Sequence, residues 1–161
     1  MNNHYLTSLF TPRSVALFGA SDRVDSVGGV VFKNLLSSGF KGKIYGINPK
    51  RETVQGEKAW ASLDDIEDTV DLAVVATPAK SIPSIVEACG EQGIRMMLIL
   101  SAGFREVGAE GRRLEDRVTD TARRYGIRLM GPNCLGLFRP EIGLNITFGN
   151  NMAKPGPLAL V

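Results

Sequence analysis

The chain of 161 residues holds one histidine, two cysteines and one tryptophan, and its formal net charge is only +2. Each scarcity removes a class of function. His4 is the lone imidazole and stands in the N-terminal segment, so no Ser-His or Cys-His catalytic pair is available. Metal-ligand spacing is missing as well, and no metal is expected. Two cysteines do not make a disulfide framework, which makes reduced thiols and the cytoplasm the expected setting. So small a net charge argues against nucleic acid and against an anionic membrane surface. No apolar run approaches the roughly 18 residues of a membrane span, and the first residues lack a signal-peptide core. The compact G-x-G-x-x-G of dinucleotide dehydrogenases is also missing, because Gly19 and Gly28 lie nine apart.

What remains is an ordinary globular composition, with 43% hydrophobic and 22% charged residues. The length suits one domain that buries roughly 70% of its unfolded surface. Short apolar runs alternate with helical patterns. Strands are predicted at 14–18, 43–47, 71–76, 95–100 and 128–130. The two middle ones are continuously apolar, as strands covered on both faces should be. Ile82, Ile85, Val86 and Cys89 repeat at helical spacing and Gly93 supplies a stop, while Leu114, Val118, Ala122 and Tyr125 mark the inner face of the next helix. The pattern predicts an α/β fold: a Rossmann-like, doubly wound, mainly parallel sheet with helices on both faces.

Five arginines (112, 113, 117, 123 and 124) line the outer face of that last helix. Arg112 with Asp116, and Asp120 with Arg124, are expected to pair at i, i+4, making a solvated face and not a nucleic-acid patch. At the other end of the chain, residues 154–157 read as a stiff Pro-Gly hinge. Residues 158–161 read as the first strand of a following domain, so a domain over 1–153 at the start of a longer protein is expected. An extra edge strand is the alternative.

In a doubly wound sheet, ligands bind beyond the carboxyl ends of the strands. Those ends carry Gly19-Ala20-Ser21, Asn48-Pro49-Lys50-Arg51, Thr77-Pro78, Ser101-Ala102-Gly103-Phe104 and Gly131 to Gly136. Small and glycine-rich, such a rim offers free backbone amides to phosphates. After the first strand, Gly28 and Gly29 begin the amphipathic stretch 30–36, a helix whose N-terminus favours an anion. An NAD site wants an acidic residue after the second strand. Here Lys50 and Arg51 stand instead, which suits a ribose with an extra phosphate, as in NADP or coenzyme A. Cys134 and Phe104 admit two readings each, a reactive thiol or a packed one, a ligand platform or core; Cys89 reads as core.

Pro12 to Ser21, Ile47-Asn48-Pro49, Asp71 to Pro78, Ser101 to Phe104 and Gly131 to Gly136 stand in order along the chain. Together they resemble the N-terminal CoA-binding domain of the NDP-forming acyl-CoA synthetases. That superfamily includes ADP-forming acetyl-CoA synthetase, the succinyl-CoA synthetase α-subunit and the synthetase-like part of bacterial protein lysine acetyltransferases. The resemblance implies a domain that binds coenzyme A or acyl-CoA and holds its thiol for acyl transfer from an acyl phosphate. By it, the loop from Gly19, Ala20 and Ser21 to Val27 and Gly28 would hold the CoA phosphates. Lys50, after Asn48 and Pro49, would approach the adenosine phosphates, and Thr77 and Pro78 would border the nucleotide. Ser101, Ala102 and Gly103 would lie along the pantetheine path, and Asn133 near the transfer centre. Which of Ser21, Asp22, Arg23 and Ser26 meets phosphate stays open, and Asp22 and Asp25 must point outward. No catalytic residue is implied in this stretch. The phosphohistidine of the synthetases would belong to another domain, and partner domains or subunits would complete the enzyme. The CoA-binding part of an acetyltransferase, an NADP-dependent oxidoreductase and a CoA-sensing module are the alternatives.

Overall fold

The computed structural model describes residues 5–149 and 153–156. After α1 (Tyr5–Phe10) come β1 (Ser14–Phe18), α2 (Val27–Ser37), β2 (Lys43–Ile47), β3 (Thr53–Val54) and β4 (Glu57–Trp60). Then follow β5 (Leu72–Val75), α3 (Ile82–Glu91), β6 (Met96–Ile99), α4 (Ala109–Tyr125), β7 (Arg128–Met130), β8 (Gly136–Arg139) and β9 (Leu144–Thr147). Seven strands form one sheet in the order β3-β4-β2-β1-β5-β6-β7, and β8 and β9 form a separate antiparallel ribbon. All pairings in the large sheet are parallel except the β3–β4 hairpin. This is the doubly wound Rossmann-like arrangement. Its strand order reverses between β1 and β5, which places a crevice at their carboxyl ends.

Every residue of the central strands is buried, and successive side chains alternate between two layers, as the pleat requires. Ala16 and Phe18 of β1, Ala73 and Val75 of β5, and Met97 and Ile99 of β6 face α3 and α4, where they meet Ile82, Val86, Cys89, Phe104, Val118 and Ala122. Val15, Leu17, Leu72, Val74 and Leu98 face the other layer, built from Val31, Phe32 and Leu35 of α2 and from Leu144 and Ile146 of β9. Each large apolar side chain removed from water here contributes about 1.5–3 kcal/mol. Phe104 is wholly buried in the first of these layers, so of its two readings the packing one holds.

Strands β5 and β6 are slightly shorter than predicted, and β3, β4, β8 and β9 were not foreseen. A further correction concerns the arginine-rich face. Asp120 pairs with Arg123 at 3.7 Å, and Arg124 crosses to Glu87 of α3 at 3.0 Å. An Arg112–Asp116 pair is not among the ion pairs of the described residues. Helix α4 runs into Gly126, whose left-handed φ of 68° lets its amide close on Ala122 and Arg123 carbonyls. Residues 158–161, read as a strand, lie outside the described residues, as does His4.

Candidate functional site

Strands β1, β2, β5 and β6 end along one side of a cleft of about 930 Å³. That volume falls in the range of roughly 300–1,000 Å³ usual for small-molecule sites. It is lined by Gly19, Ala20, Ser21, Val27 and Gly28 after β1, by Asn48, Pro49 and Lys50 after β2, by Thr77 and Pro78 after β5, and by Ser101 after β6. Three residues singled out in the sequence are not on this wall. Ala102 and Gly103 do not line it, and neither does Asn133, whose amide donates to the Ser101 carbonyl at 3.0 Å. Asn133 adopts a left-handed φ of 55°.

The first loop is built from its own polar groups. Ser26 ends it as the N-cap of α2: its Oγ accepts from the Gly29 amide at 3.1 Å and donates to the Arg23 carbonyl at 2.9 Å. The helix itself supplies no acceptor to the preceding amides of Val27 and Gly28, and both residues line the cleft. These amides and the helix dipole favour an anion there. The glycines serve packing first. A Cβ on Gly28 would lie 1.9 Å from the Gly19 carbonyl oxygen, and one on Gly29 would lie 1.9 Å from the Arg23 carbonyl oxygen. The loop folds onto α2 only because neither side chain exists.

Asn48 sets the second edge. Its Nδ2 donates to the Ala20 carbonyl at 2.8 Å, and its Oδ1 accepts from the Lys50 amide at 2.9 Å. One side chain thus ties the ends of β1 and β2 and shapes the turn that carries Lys50. Lys50 lines the cleft, whereas Arg51 is exposed and outside it. Across the switch point, Ser101 Oγ donates to the Thr77 carbonyl at 2.6 Å, and Ser81 Oγ lies 2.9 Å from Thr77 Oγ1.

Charge around the cleft is mixed but sorted. Arg23 and Lys50 line it, as does Asp64. Asp22 and Asp25 do not. Asp22 accepts from the Gln55 amide at 2.7 Å, and Asp25 pairs with Arg23 at 3.2 Å, a bond that holds its carboxyl below the usual range. Beyond the wall, Glu106 accepts from the Gly103 amide at 2.5 Å, which also lowers its pKa. Cys134 is half-buried, its thiol pointing at the Ile99 carbonyl at 3.4 Å, and burial pushes its pKa up. That environment disfavours a thiolate nucleophile.

Sequence reasoning missed one wall of the cleft: Ala61, Ser62, Leu63 and Asp64 after β4, and Ser81, Ser84, Ile85 and Ala88 on the approach to and along α3. The four-residue β4 is too short and polar to announce itself. The small residues at 81, just before α3, and at 84 and 88 on it are the signal that could have been used.

The profile of a known family, described as a CoA binding domain, matches residues 13–140. The chain belongs to that family. As a CoA binding domain it is 42% identical over 160 residues to the acetate–CoA ligase [ADP-forming] I subunit alpha of Pyrococcus furiosus, covering 97% of this chain and 35% of the relative. It is 39% identical over 155 residues to the 4-hydroxybutyrate–CoA ligase [ADP-forming] of Nitrosopumilus maritimus, covering 95% of this chain and 22% of that protein. Among solved structures, it is similar to a dinucleotide forming acetyl-coenzyme A synthetase 1 from Ca. Korarchaeum cryptofilum in complex with phosphate and ADP. That match has a TM-score of 0.85 and 38% identity, and covers 92% of this chain and 31% of the other. The CoA binding domain described here thus spans about a third or less of the proteins it matches. Among the described residues no helix is long and apolar enough to cross a membrane.

Proposed function

We propose that this domain holds coenzyme A, or its acyl thioester, for an ADP-forming acyl-CoA synthetase. The observation that carries the reading is the set of groups around one cleft: Val27 and Gly28, whose amides start α2, and Lys50, which follows β2. The amides suit a pyrophosphate, and the lysine suits the additional phosphate on the adenosine ribose. The residues after β2 that line the cleft are Asn48, Pro49 and Lys50, with no carboxylate among them to accept from both ribose hydroxyls of NAD. Gly19, Ala20 and Ser21 are assigned to the phosphates, Asn48 and Pro49 to the turn that presents Lys50, and Thr77 and Pro78 to the nucleotide border. Ser101 lies on the pantetheine path, with Ala102, Gly103 and Asn133 beyond the cleft toward the thiol.

In the reaction so assigned, the CoA sulfur attacks the acyl carbon of an acyl phosphate. A C–S bond forms, the C–O bond to phosphate breaks, phosphate leaves and the thiol proton is released. The described residues contribute orientation: they hold the carrier at its phosphates so that the thiol end is presented at a fixed place. Converting a bimolecular encounter into a positioned one is worth several kcal/mol of barrier. We assign residues 1–153 to this domain and 154–161 to the start of a further one, and we assign the acyl site to parts of the longer protein. Relatives named for acetate and for 4-hydroxybutyrate support placing acyl choice outside this domain.

Thermal unfolding with excess CoA, dephospho-CoA, NADP and NAD tests the reading. A ligand at about 100 times its Kd adds about 2.7 kcal/mol, a rise of several degrees in a domain of this size. CoA is expected to raise Tm most, dephospho-CoA less and NAD little. Equal shifts with NAD and CoA would refute the role of Lys50, and no shift with CoA would refute the function.

A further inference from the structure

Gln55 and Gly56 are the two central residues of the β3–β4 hairpin, in which Thr53 pairs with Lys58 and Val54 with Glu57. Both have positive φ, 51° and 82°. A two-residue turn of that kind favours asparagine followed by glycine. Glutamine lacks this advantage, but it has reach. Its Nε2 donates to the Ser21 carbonyl and to the Gly29 carbonyl, each at 2.8 Å, so both amide hydrogens are used. Its backbone amide donates to Asp22 Oδ1 at 2.7 Å.

Ser21 and Gly29 bracket the loop that leads from β1 into α2. One carboxamide therefore sets the distance between the two ends of the loop, and the same residue draws away the carboxylate that would otherwise oppose an anion. We propose that Gln55 is the positioning residue of this loop: it fixes the Val27 and Gly28 amides for phosphate and keeps Asp22 out of the cleft. Its role toward CoA rests on the function proposed above. Asparagine in the same turn falls short by one C–C bond, about 1.5 Å, and cannot span both carbonyls. Glutamate keeps the length but sets a carboxylate against two carbonyl oxygens, with no donor between them.

The test uses the full chain with Gln55→Asn and Gln55→Glu, read by hydrogen exchange of residues 21–29 and by calorimetric titration with CoA and dephospho-CoA. Circular dichroism serves as the check on folding. In the folded Asn variant, whose residue suits the turn better, exchange across 21–29 should rise at least tenfold while β1 and β5 amides stay protected. Its Kd values for CoA and dephospho-CoA should rise by the same factor, tenfold or more, because both carry the pyrophosphate. Unchanged exchange overturns the proposal, as does a CoA Kd within twofold of the parent. Weakening of CoA alone would place Gln55 at the extra phosphate and would overturn it too, and unfolding of both variants would assign Gln55 to the fold. A parent chain that binds neither ligand refutes the CoA reading instead; exchange then decides by itself whether Gln55 fixes the loop.

Discussion

An alanine at position 28 would carry its Cβ 1.9 Å from the Gly19 carbonyl oxygen and 2.9 Å from the carbonyl carbon, with Ala76 Cβ at 3.6 Å. Ordinary van der Waals contact begins near 3.4 Å, so helix and turn must separate by about 1.5 Å. Neither side yields easily. The obstacle is backbone; α2 is anchored by the buried Val31, Phe32 and Leu35, and the Gly19 amide donates to the Ile47 carbonyl at 3.1 Å. Gly19 itself sits at a φ of 91°, where few other residues fit. Overpacking of this kind costs about 1–3 kcal/mol and occasionally more. Removing a helical glycine returns at most about 1 kcal/mol. A net loss of about 2 kcal/mol would lower Tm by about 4–8 °C.

Binding should suffer more than stability. The methyl group pushes α2 away from β1 at the two amides assigned to phosphate, and a hydrogen bond weakens steeply once its distance and angle are lost. Titration of Gly28→Ala with CoA at a temperature well below its Tm separates the two effects. Gly156→Ala is the control, since nothing lies within 4 Å of a Cβ there. A Gly28→Ala chain that melts within a degree of the parent and binds CoA with unchanged Kd would refute both the steric argument and the assignment of this loop.

Two further expectations concern charge. Lys50→Ala should weaken CoA more at low ionic strength than at high, because Lys50 is exposed and a Debye length is about 10 Å at 0.1 M salt; dephospho-CoA should be less affected, and equal losses at every salt concentration would argue against the ion pair. Burial pushes the Cys89 thiol up to about 12, against about 8.5 in an unfolded chain. A raised folded pKa contributes stability that is fully present below the unfolded value and disappears as pH climbs through the folded one. The stability of Cys89→Ala should therefore fall less steeply than the parent's between about pH 9 and 12 by denaturant unfolding, and parallel profiles would count against the buried thiol.

Much of the sheet was legible because its central strands are buried on both faces. Residues 72–75 and 96–99 are wholly apolar, and runs so short, set between helical patterns, suit strands covered on both faces. What escaped is short or one-sided. Strand β3 has two residues and β4 carries Glu57 and Lys58, so neither shows an alternation long enough to read. The β8–β9 ribbon hides differently. Leu144 and Ile146 are buried against α2 while Asn145 between them is buried as well, and three covered residues in a row erase the period of two. On α4, helical spacing made Asp120 a partner for Arg124, but the nearby Glu87 on α3 takes that arginine, a competitor visible only once the helices are packed.

The cleft shows the same division between what a chain states locally and what only its fold brings together. Eleven of the fourteen residues picked from strand ends share one wall, since the switch-point rule needs only strand order and direction. Side-chain ties across the gap obey no such rule. Asn48 reaches the Ala20 carbonyl across 28 positions, and Gln55 reaches Ser21 and Gly29 across 34 and 26. Gln55 has no local signature: a glutamine before a glycine in a short run such as Thr53 to Glu57 reads as an ordinary turn. Its use lies in where β4 docks beside β2, which swings the hairpin tip over the first loop. The two observations combine into one physical argument. The glycines at 28 and 29 let the loop collapse onto the helix, and Gln55 then fixes how far the collapse proceeds. A double substitution of Gly28→Ala with Gln55→Asn should therefore cost CoA affinity by less than the product of the single losses, because a loop already displaced by the methyl group no longer presents both carbonyls to the carboxamide.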